Sequence, residues 1–202
     1  MGDPCGIAPE ITYKAWETLK TQRKYCFAVI AQPEIFDYCN NKIKIITAPS
    51  EAINVFQDSL PLIPIDGYNT EKGHPNQIHT VSILESIKLA VDICAKGKAD
   101  GLVTNPISKE ILYKSGFNFP GHTEYLGEIT KEIHMINSRG PVMMLSGGGL
   151  KIALITVHVP LKKAALLITK KEIIKKAKVI NEALIKDFGI KNPRIALAGI
   201  NP

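Results

Sequence analysis

The chain has 202 residues, 45% hydrophobic and 22% charged, enough to close a hydrophobic core in one domain or two small ones and unlike a disordered chain. Its formal charge of +6 comes largely from lysine: Lys170, Lys171, Lys175, Lys176 and Lys178 cluster late, with Lys162 and Lys163 nearby. These lysines sit on a leucine- and isoleucine-striped helix almost free of aromatics, so a solvated helix face is expected rather than a nucleic-acid surface, while mild basicity suits an anionic small substrate.

In chain order, residues 9–19 read as a helix, with Pro9 in its first turn and Glu10 at its positive end. Residues 26–31 form a short apolar strand, a helix starts near Pro33, residues 43–46 form a strand and residues 50–56 a short helix. Residues 61–77 carry Pro61, Pro64, Gly67, Gly73 and Pro75 and read as loop with at most one edge strand. From His79 or Thr80 to Cys94, the residues Leu84, Ile87, Val91 and Cys94 recur at helical spacing with Ile83 and Ala90 beside them, and Gly97 stops the helix. A buried strand is expected over 101–104, a helix over 108–113, a loop over 117–120 and a helix over 122–129.

Two apolar stretches, 141–145 and 150–157, flank Gly147-Gly148-Gly149 and predict a β-hairpin. Thr169-Lys170-Lys171-Glu172 is a capping-box pattern opening a helix whose buried stripe is Ile173, Ala177, Ile180 and Leu184. Gly189 ends it before a strand over 194–198. Short strands alternating with longer amphipathic helices predict an α/β protein, a three-layer α/β/α sandwich. Its sheet is mostly parallel, with an antiparallel component at the glycine turn.

Ligands of open α/β sheets gather beyond the carboxyl ends of strands. Three junctions qualify: Thr104-Asn105-Pro106-Ile107-Ser108-Lys109, Gly121-His122-Thr123-Glu124 and Val157-His158-Val159-Pro160. His158, at the end of an apolar strand, is either a metal or proton-transfer imidazole or a hydrogen-bonded histidine closing the core. His122 and Thr123 begin a helix, where free N–H groups attract anions, or simply cap it. Lys109 either neutralises a phosphate or faces solvent, and Thr104 and Asn105 either orient a ligand or satisfy turn backbone. Gly2-Asp3-Pro4-Cys5-Gly6 offers permissive backbone and one carboxylate before a helix, without a GxGxxG dinucleotide pattern. His74, His79 and His134 are expected at the surface. Cys5 sits where a helix start could lower its thiol pKa, but no base accompanies it.

The four cysteines form no CxxC pair or zinc-finger spacing, and no signal peptide is visible, so reduced thiols in a cytoplasm are expected. The longest apolar runs fall well short of a membrane span. Neither a membrane nor a nucleic acid is an expected partner.

Five segments, in this order, carry a resemblance: GDPCGIAPEI at 2–11, GLVTNPISKE at 101–110, GFNFPGHTEYLGEIT at 116–130, VMMLSGGGLKIALITVHVPL at 142–161 and PRIALAGINP at 193–202. Together they resemble the 4-hydroxythreonine-4-phosphate dehydrogenase (PdxA) family of vitamin B6 synthesis, nearly end to end. The resemblance implies an isocitrate/isopropylmalate-dehydrogenase-like fold, present in part over 1–202, and homodimers with active sites near the subunit interface. It implies that His122 and Thr123 contact substrate and that His158 is the first of three histidines on a divalent metal (zinc, magnesium or cobalt). Asp3, Asn105 and Lys109 would be accessory.

The implied reaction is NAD- or NADP-linked oxidation of 4-phosphooxy-L-threonine to an amino-oxo phosphooxybutanoate that loses carbon dioxide, in pyridoxine 5'-phosphate biosynthesis. Three departures stand out. The family's opening strand before Gly2 is missing, Ala8 replaces a typical glycine, and the family continues past Asn201-Pro202 into its second metal histidine. The chain alone is therefore expected to be inactive, working as one portion beside a complementing C-terminal chain or as a homodimer. The alternatives are a non-catalytic, self-associating remnant and a related enzyme acting on another phosphorylated or carboxylated substrate.

Overall fold

The computed structural model describes residues 1–22, 24–39, 42–134 and 140–199. The chain divides into two compact units, Met1–Leu126 and Gly127–Pro202.

The first unit is built on a parallel three-stranded sheet. Its strands β1 (Val29–Ala31), β2 (Ile43–Ile45) and β3 (Leu60–Pro64) run in the order β1-β3-β2, with Val29 opposite Leu62 and Ile43 opposite Leu60. Alternate residues feed two apolar layers, as expected for a sheet covered on both faces. Val29, Ala31, Leu60 and Leu62 join Trp16, Phe36 and Phe56. Ile30 and Ile63 join Ile46, Ala52, Ala90 and Ile93. Helix α1 (Ala8–Leu19) thus packs one face through Trp16, whose indole N–H donates to Phe56 O at 2.7 Å just beyond the one-turn helix α2 (Ala52–Val55). Helix α3 (Thr80–Ala95) packs the other face.

Residues 65–76 carry no helix or strand, as expected, but the strand that opens the 61–77 stretch, β3, is not an edge strand. It is the central strand, and its prolines are tolerated because of where they fall. Leu60 N–H donates towards β2 (Lys42 O, 2.8 Å) and Ile65 N–H towards β1 (Ala31 O, 3.2 Å), so odd residues face β1 and even residues β2. Pro61 precedes the start of β1 pairing and Pro64 follows the end of β2 pairing. Neither missing N–H interrupts a ladder.

The buried face of α3 is centred on the Ile83 and Ala90 side of the expected stripe. Ile83, Ile87, Ala90 and Ile93 are buried, while Leu84, Val91 and Cys94 are only half-buried. Two serines make that face inexpensive to bury, because each satisfies its own hydroxyl: Ser82 Oγ donates to His79 O (3.0 Å) and Ser86 Oγ to Ile83 O (2.7 Å). Residues 101–104, expected as a buried strand, pair with no strand among the described residues. Leu102 tucks against the Ile30 layer, but Val103 is 92% exposed. The short helix α4 (Lys109–Lys114) and helix α5 (His122–Ile129) follow, matching the reading from sequence.

In the second unit, β4 (Met144–Gly147) and β5 (Leu150–Ala153) form the expected antiparallel hairpin, Gly147 opposite Leu150. Its turn residues Gly148 and Gly149 have φ of 56° and 82°, the left-handed pair that a two-residue hairpin turn demands. Both strands are shorter than expected. Helix α6 (Leu161–Leu167) and helix α7 (Lys170–Lys186) follow. Thr169 Oγ1 accepts from Glu172 N–H at 3.2 Å, the cap read from the sequence. The strand expected over 194–198 does not form: the stretch is irregular, with Leu197 exposed. An apolar run becomes a strand only where a neighbour supplies backbone partners. Asn201 and Pro202 lie outside the described residues.

Candidate functional site

The opening loop and the loop after residue 104 are locked together. Asp3 N–H donates to Pro106 O at 2.8 Å, and a Cβ at Gly2 would lie 2.4 Å from that same oxygen, so only glycine fits there. Asp3 Oδ1 accepts from Cys5 N–H (3.0 Å) and Asp3 O from Gly6 N–H (3.2 Å), so the carboxylate folds back to hold its own loop. Asn105 Nδ2 donates to Thr12 Oγ1 (2.8 Å), which donates to Ala8 O (2.7 Å), tying the second loop to α1. Asp3 and Asn105 thus have structural partners that the sequence did not reveal.

His79 was expected at the surface and is instead 2% exposed. Its Nδ1 has no hydrogen-bond partner among the described residues. Burial pushes its pKa below the ordinary 6.5, with the nearby Asp3 carboxylate pulling the other way. The sequence signal that could have revealed this is the Asn76 cap, whose Oδ1 accepts from Ile78 N–H (3.1 Å) and starts a 3-10 turn that feeds His79 into α3. Cys5 differs as well: burial raises its thiol pKa, so the helix start does not activate it. His74 and His134 are exposed, as expected.

The segment leading into α5 is pinned by aromatic packing. Phe117, Phe119 and Tyr125 meet in a mutual cluster with ring centroids 5.2–5.3 Å apart. Gly116, at φ 86°, turns the chain out of α4, and Phe117 N–H donates to Leu112 O at 3.0 Å. This frame delivers Gly121, His122, Thr123 and Glu124 to the first turn of α5. His122 is half-buried and Thr123 exposed. The His122 pKa is lowered by burial first, then by the Lys109 ammonium and the amino group of Met1. A neutral imidazole beside a cation can accept a proton or a hydrogen bond while the cation attracts an anion.

The structure therefore brings Lys109 and His122 together in the first unit. A Cβ at Gly121 would lie 3.8 Å from Lys109 Nζ and 3.6 Å from Glu124 Oε2. Glu124 is a neighbour that the sequence reading did not single out, although it shares α5's first turn with Thr123.

His158 belongs to the second unit. It is exposed and has φ of 54°, the one non-glycine residue with positive φ among the described residues. Such a conformation costs roughly 1–3 kcal/mol and concentrates at functional positions. No group of three or more His, Cys, Asp or Glu among the described residues could hold a metal ion. No helix among them is long and apolar enough to cross a membrane.

Residues 20–202 match the family model described as pyridoxal phosphate biosynthetic protein PdxA. The chain is 42% identical over 204 residues to 4-hydroxythreonine-4-phosphate dehydrogenase of Caulobacter vibrioides, covering 100% of this chain and 61% of the relative. Against the Zymomonas mobilis enzyme of that name it is 36% identical, covering 100% and 60%. Among solved structures, a 4-hydroxythreonine-4-phosphate dehydrogenase from Burkholderia phymatum superposes with TM-score 0.85 at 28% identity, over 100% of this chain and 61% of that one. One from Klebsiella pneumoniae gives 0.83 at 25% identity, over 100% and 62%. The chain thus spans about three-fifths of the length of the curated relatives it matches.

Proposed function

Because the chain belongs to the PdxA family of pyridoxal phosphate biosynthetic proteins, we propose that it carries the substrate-holding portion of an NAD- or NADP-linked dehydrogenase acting on 4-phosphooxy-L-threonine. The observation that carries this reading is the half-buried, neutral His122 at the start of α5, beside the Lys109 ammonium. Free N–H groups of that turn and the Thr123 hydroxyl would receive an oxyanion of the substrate. Lys109 would attract that charge, and His122 would accept a hydrogen bond from a substrate hydroxyl or take its proton. NAD or NADP would serve as hydride acceptor when bound.

A metal does not fit the residues described. His158 alone is one ligand, whereas zinc sites take three or four protein ligands. A zinc or cobalt site would need at least two further ligands beside His158, and magnesium favours oxygen donors that His158 does not supply. The strained φ of His158 supports its reading as a ligand held in a fixed direction. Asp3 and Asn105 act in this proposal by fixing the loops around α1.

The fold reading that goes with this function is an isocitrate/isopropylmalate-dehydrogenase-like α/β/α sandwich, present in part over 1–202. A cytoplasmic location suits the four free cysteines. A homodimer or a complementing C-terminal chain would complete the site.

Purified chain, 4-phosphooxy-L-threonine, NAD or NADP and a divalent metal provide the direct assay, read as NADH or NADPH formation. The chain alone is expected to show no substantial turnover while still binding substrate in a way that H122A abolishes. Robust turnover by the isolated chain would overturn the partial-site reading, and binding indifferent to H122A would overturn the assignment of His122. A second reading, a self-associating remnant, is favoured by the exposed Leu145, Leu150, Ile152, Leu161 and Leu166 of the second unit. Concentration-dependent sedimentation together with absence of substrate binding would select it.

A further inference from the structure

Gly121 has no conformational reason to be glycine. Its φ lies outside the left-handed region, and a Cβ there would meet nothing closer than ordinary van der Waals contact. Gly2, by contrast, is forced by the backbone oxygen of Pro106. What a side chain at 121 would remove is the space between two opposite charges, since its Cβ would sit 3.6 Å from Glu124 Oε2 and 3.8 Å from Lys109 Nζ. Among the described residues neither charge takes an ion-pair partner, although Lys14, Lys96, Lys114 and Lys131 all pair with carboxylates on their own helices or the turns that follow. An open ammonium, an open carboxylate and a vacant glycine between them, next to His122, form a short dipolar slot.

Resting on the proposed substrate class, we infer that Lys109 and Glu124 read the zwitterionic character of the ligand across Gly121: Lys109 takes an oxyanion, and Glu124 takes the ammonium of an amino-acid substrate. The α5 N–H groups favour anions only, and the Thr123 hydroxyl, which can donate or accept, carries no charge to tell the two apart. Without a carboxylate nearby, the site would accept a phosphorylated hydroxy acid as readily as a phosphorylated amino acid. Glu124 makes the difference, because it attracts the ammonium and repels a second anion. The aromatic cluster of Phe117, Phe119 and Tyr125 holds the backbone segment that carries Gly121 and Glu124.

The test is a titration of the full 202-residue chain, followed by calorimetry or amide chemical shifts. The two ligands are 4-phosphooxy-L-threonine and the same acid with a hydroxyl in place of the amine. The unmodified chain is expected to prefer the amine-bearing ligand by about fivefold, the upper range of an exposed ion pair. Glu124→Gln is expected to erase that preference without weakening the hydroxy acid. Lys109→Met is expected to weaken both ligands by about tenfold, as for loss of a charge-assisted contact. Gly121→Ala, whose methyl fits without strain, is expected to leave the melting temperature unchanged and weaken both. A preference that survives Glu124→Gln overturns the inference, as does equal binding of the two ligands by the unmodified chain. Equal binding that H122A abolishes would leave the proposed function standing, whereas binding of neither ligand would overturn both.

Discussion

The two units spend their apolar residues differently. In Met1–Leu126, strands β1 and β3 are covered on both faces, and Trp16, Leu60, Leu62 and Leu112 have no exposed surface. In Gly127–Pro202, a two-stranded hairpin and two helices leave Leu150, Leu161 and Leu166 largely open, with Leu166 at 80% exposure. A parallel sheet is stable only when both faces are buried, whereas a hairpin can close its own hydrogen bonds with one face uncovered. The candidate binding residues follow the same division. His122, Thr123 and Lys109 hang on the closed unit, and His158 sits on the open one.

The largest expected effect breaks the closed unit. Trp16→Ala removes a fully buried indole together with its bond to Phe56 O, and should cost roughly 3–5 kcal/mol in urea denaturation. Leu166→Ala in the open unit should change stability by less than about 0.5 kcal/mol. Comparable losses from the two would mean that Leu166 is covered in solution, which would favour the self-associating reading. Next in size is Gly2→Ala. Its methyl would overlap Pro106 O, so a loss of about 1–3 kcal/mol is expected, as for overpacking. An unchanged melting temperature would mean that the two loops are not locked as described.

These same residues show what the sequence could and could not disclose. Periodicity marked the long helices, and Gly147-Gly148-Gly149 marked the hairpin, because both signals are local. The central strand β3 was hidden by Pro61 and Pro64, which are harmless only in a register fixed by strands elsewhere in the chain. Residues 101–104 and 194–198 look like strands because they are apolar, yet pairing depends on neighbours that a linear pattern does not show. At the site, His122 and Lys109 were legible as residue types at loop–helix junctions. Their proximity was not, since it depends on how Phe117, Phe119 and Tyr125 fold the intervening loop. The burial of His79 is legible only through the Asn76 cap, which starts the turn that feeds it into α3.

Buried His79 gives the closed unit a pH signature. Its pKa in the folded state lies below the ordinary 6.5, so the unfolded chain binds the proton first. The stability contributed by neutral His79 is complete above about pH 6.5 and is lost as pH falls through and below that value, with a slope of at most about 1.4 kcal/mol per pH unit. His122, whose pKa is lowered in the same direction, adds to this slope. Urea midpoints measured from pH 7.5 to 5 on the parent and on His79→Asn should show a shallower acid slope in the variant. Parallel slopes would mean that His79 is hydrated and titrates normally.

The smallest expected effect decides between the two readings of His158. A left-handed backbone costs a non-glycine residue about 1–2 kcal/mol, and glycine forfeits roughly 0.5–1 kcal/mol of that relief through its greater freedom when unfolded. If His158 is strained to aim its imidazole at a ligand, His158→Gly should stabilise the metal-free chain by up to about 1 kcal/mol. His158→Ala, which keeps the strain, should leave stability nearly unchanged. If His158 instead closes the edge of a core, both variants should destabilise the chain, with glycine the worse. Its exposed side chain favours the first outcome. Paired urea titrations of these two variants thus separate a residue kept for what it binds from one kept for what it packs against.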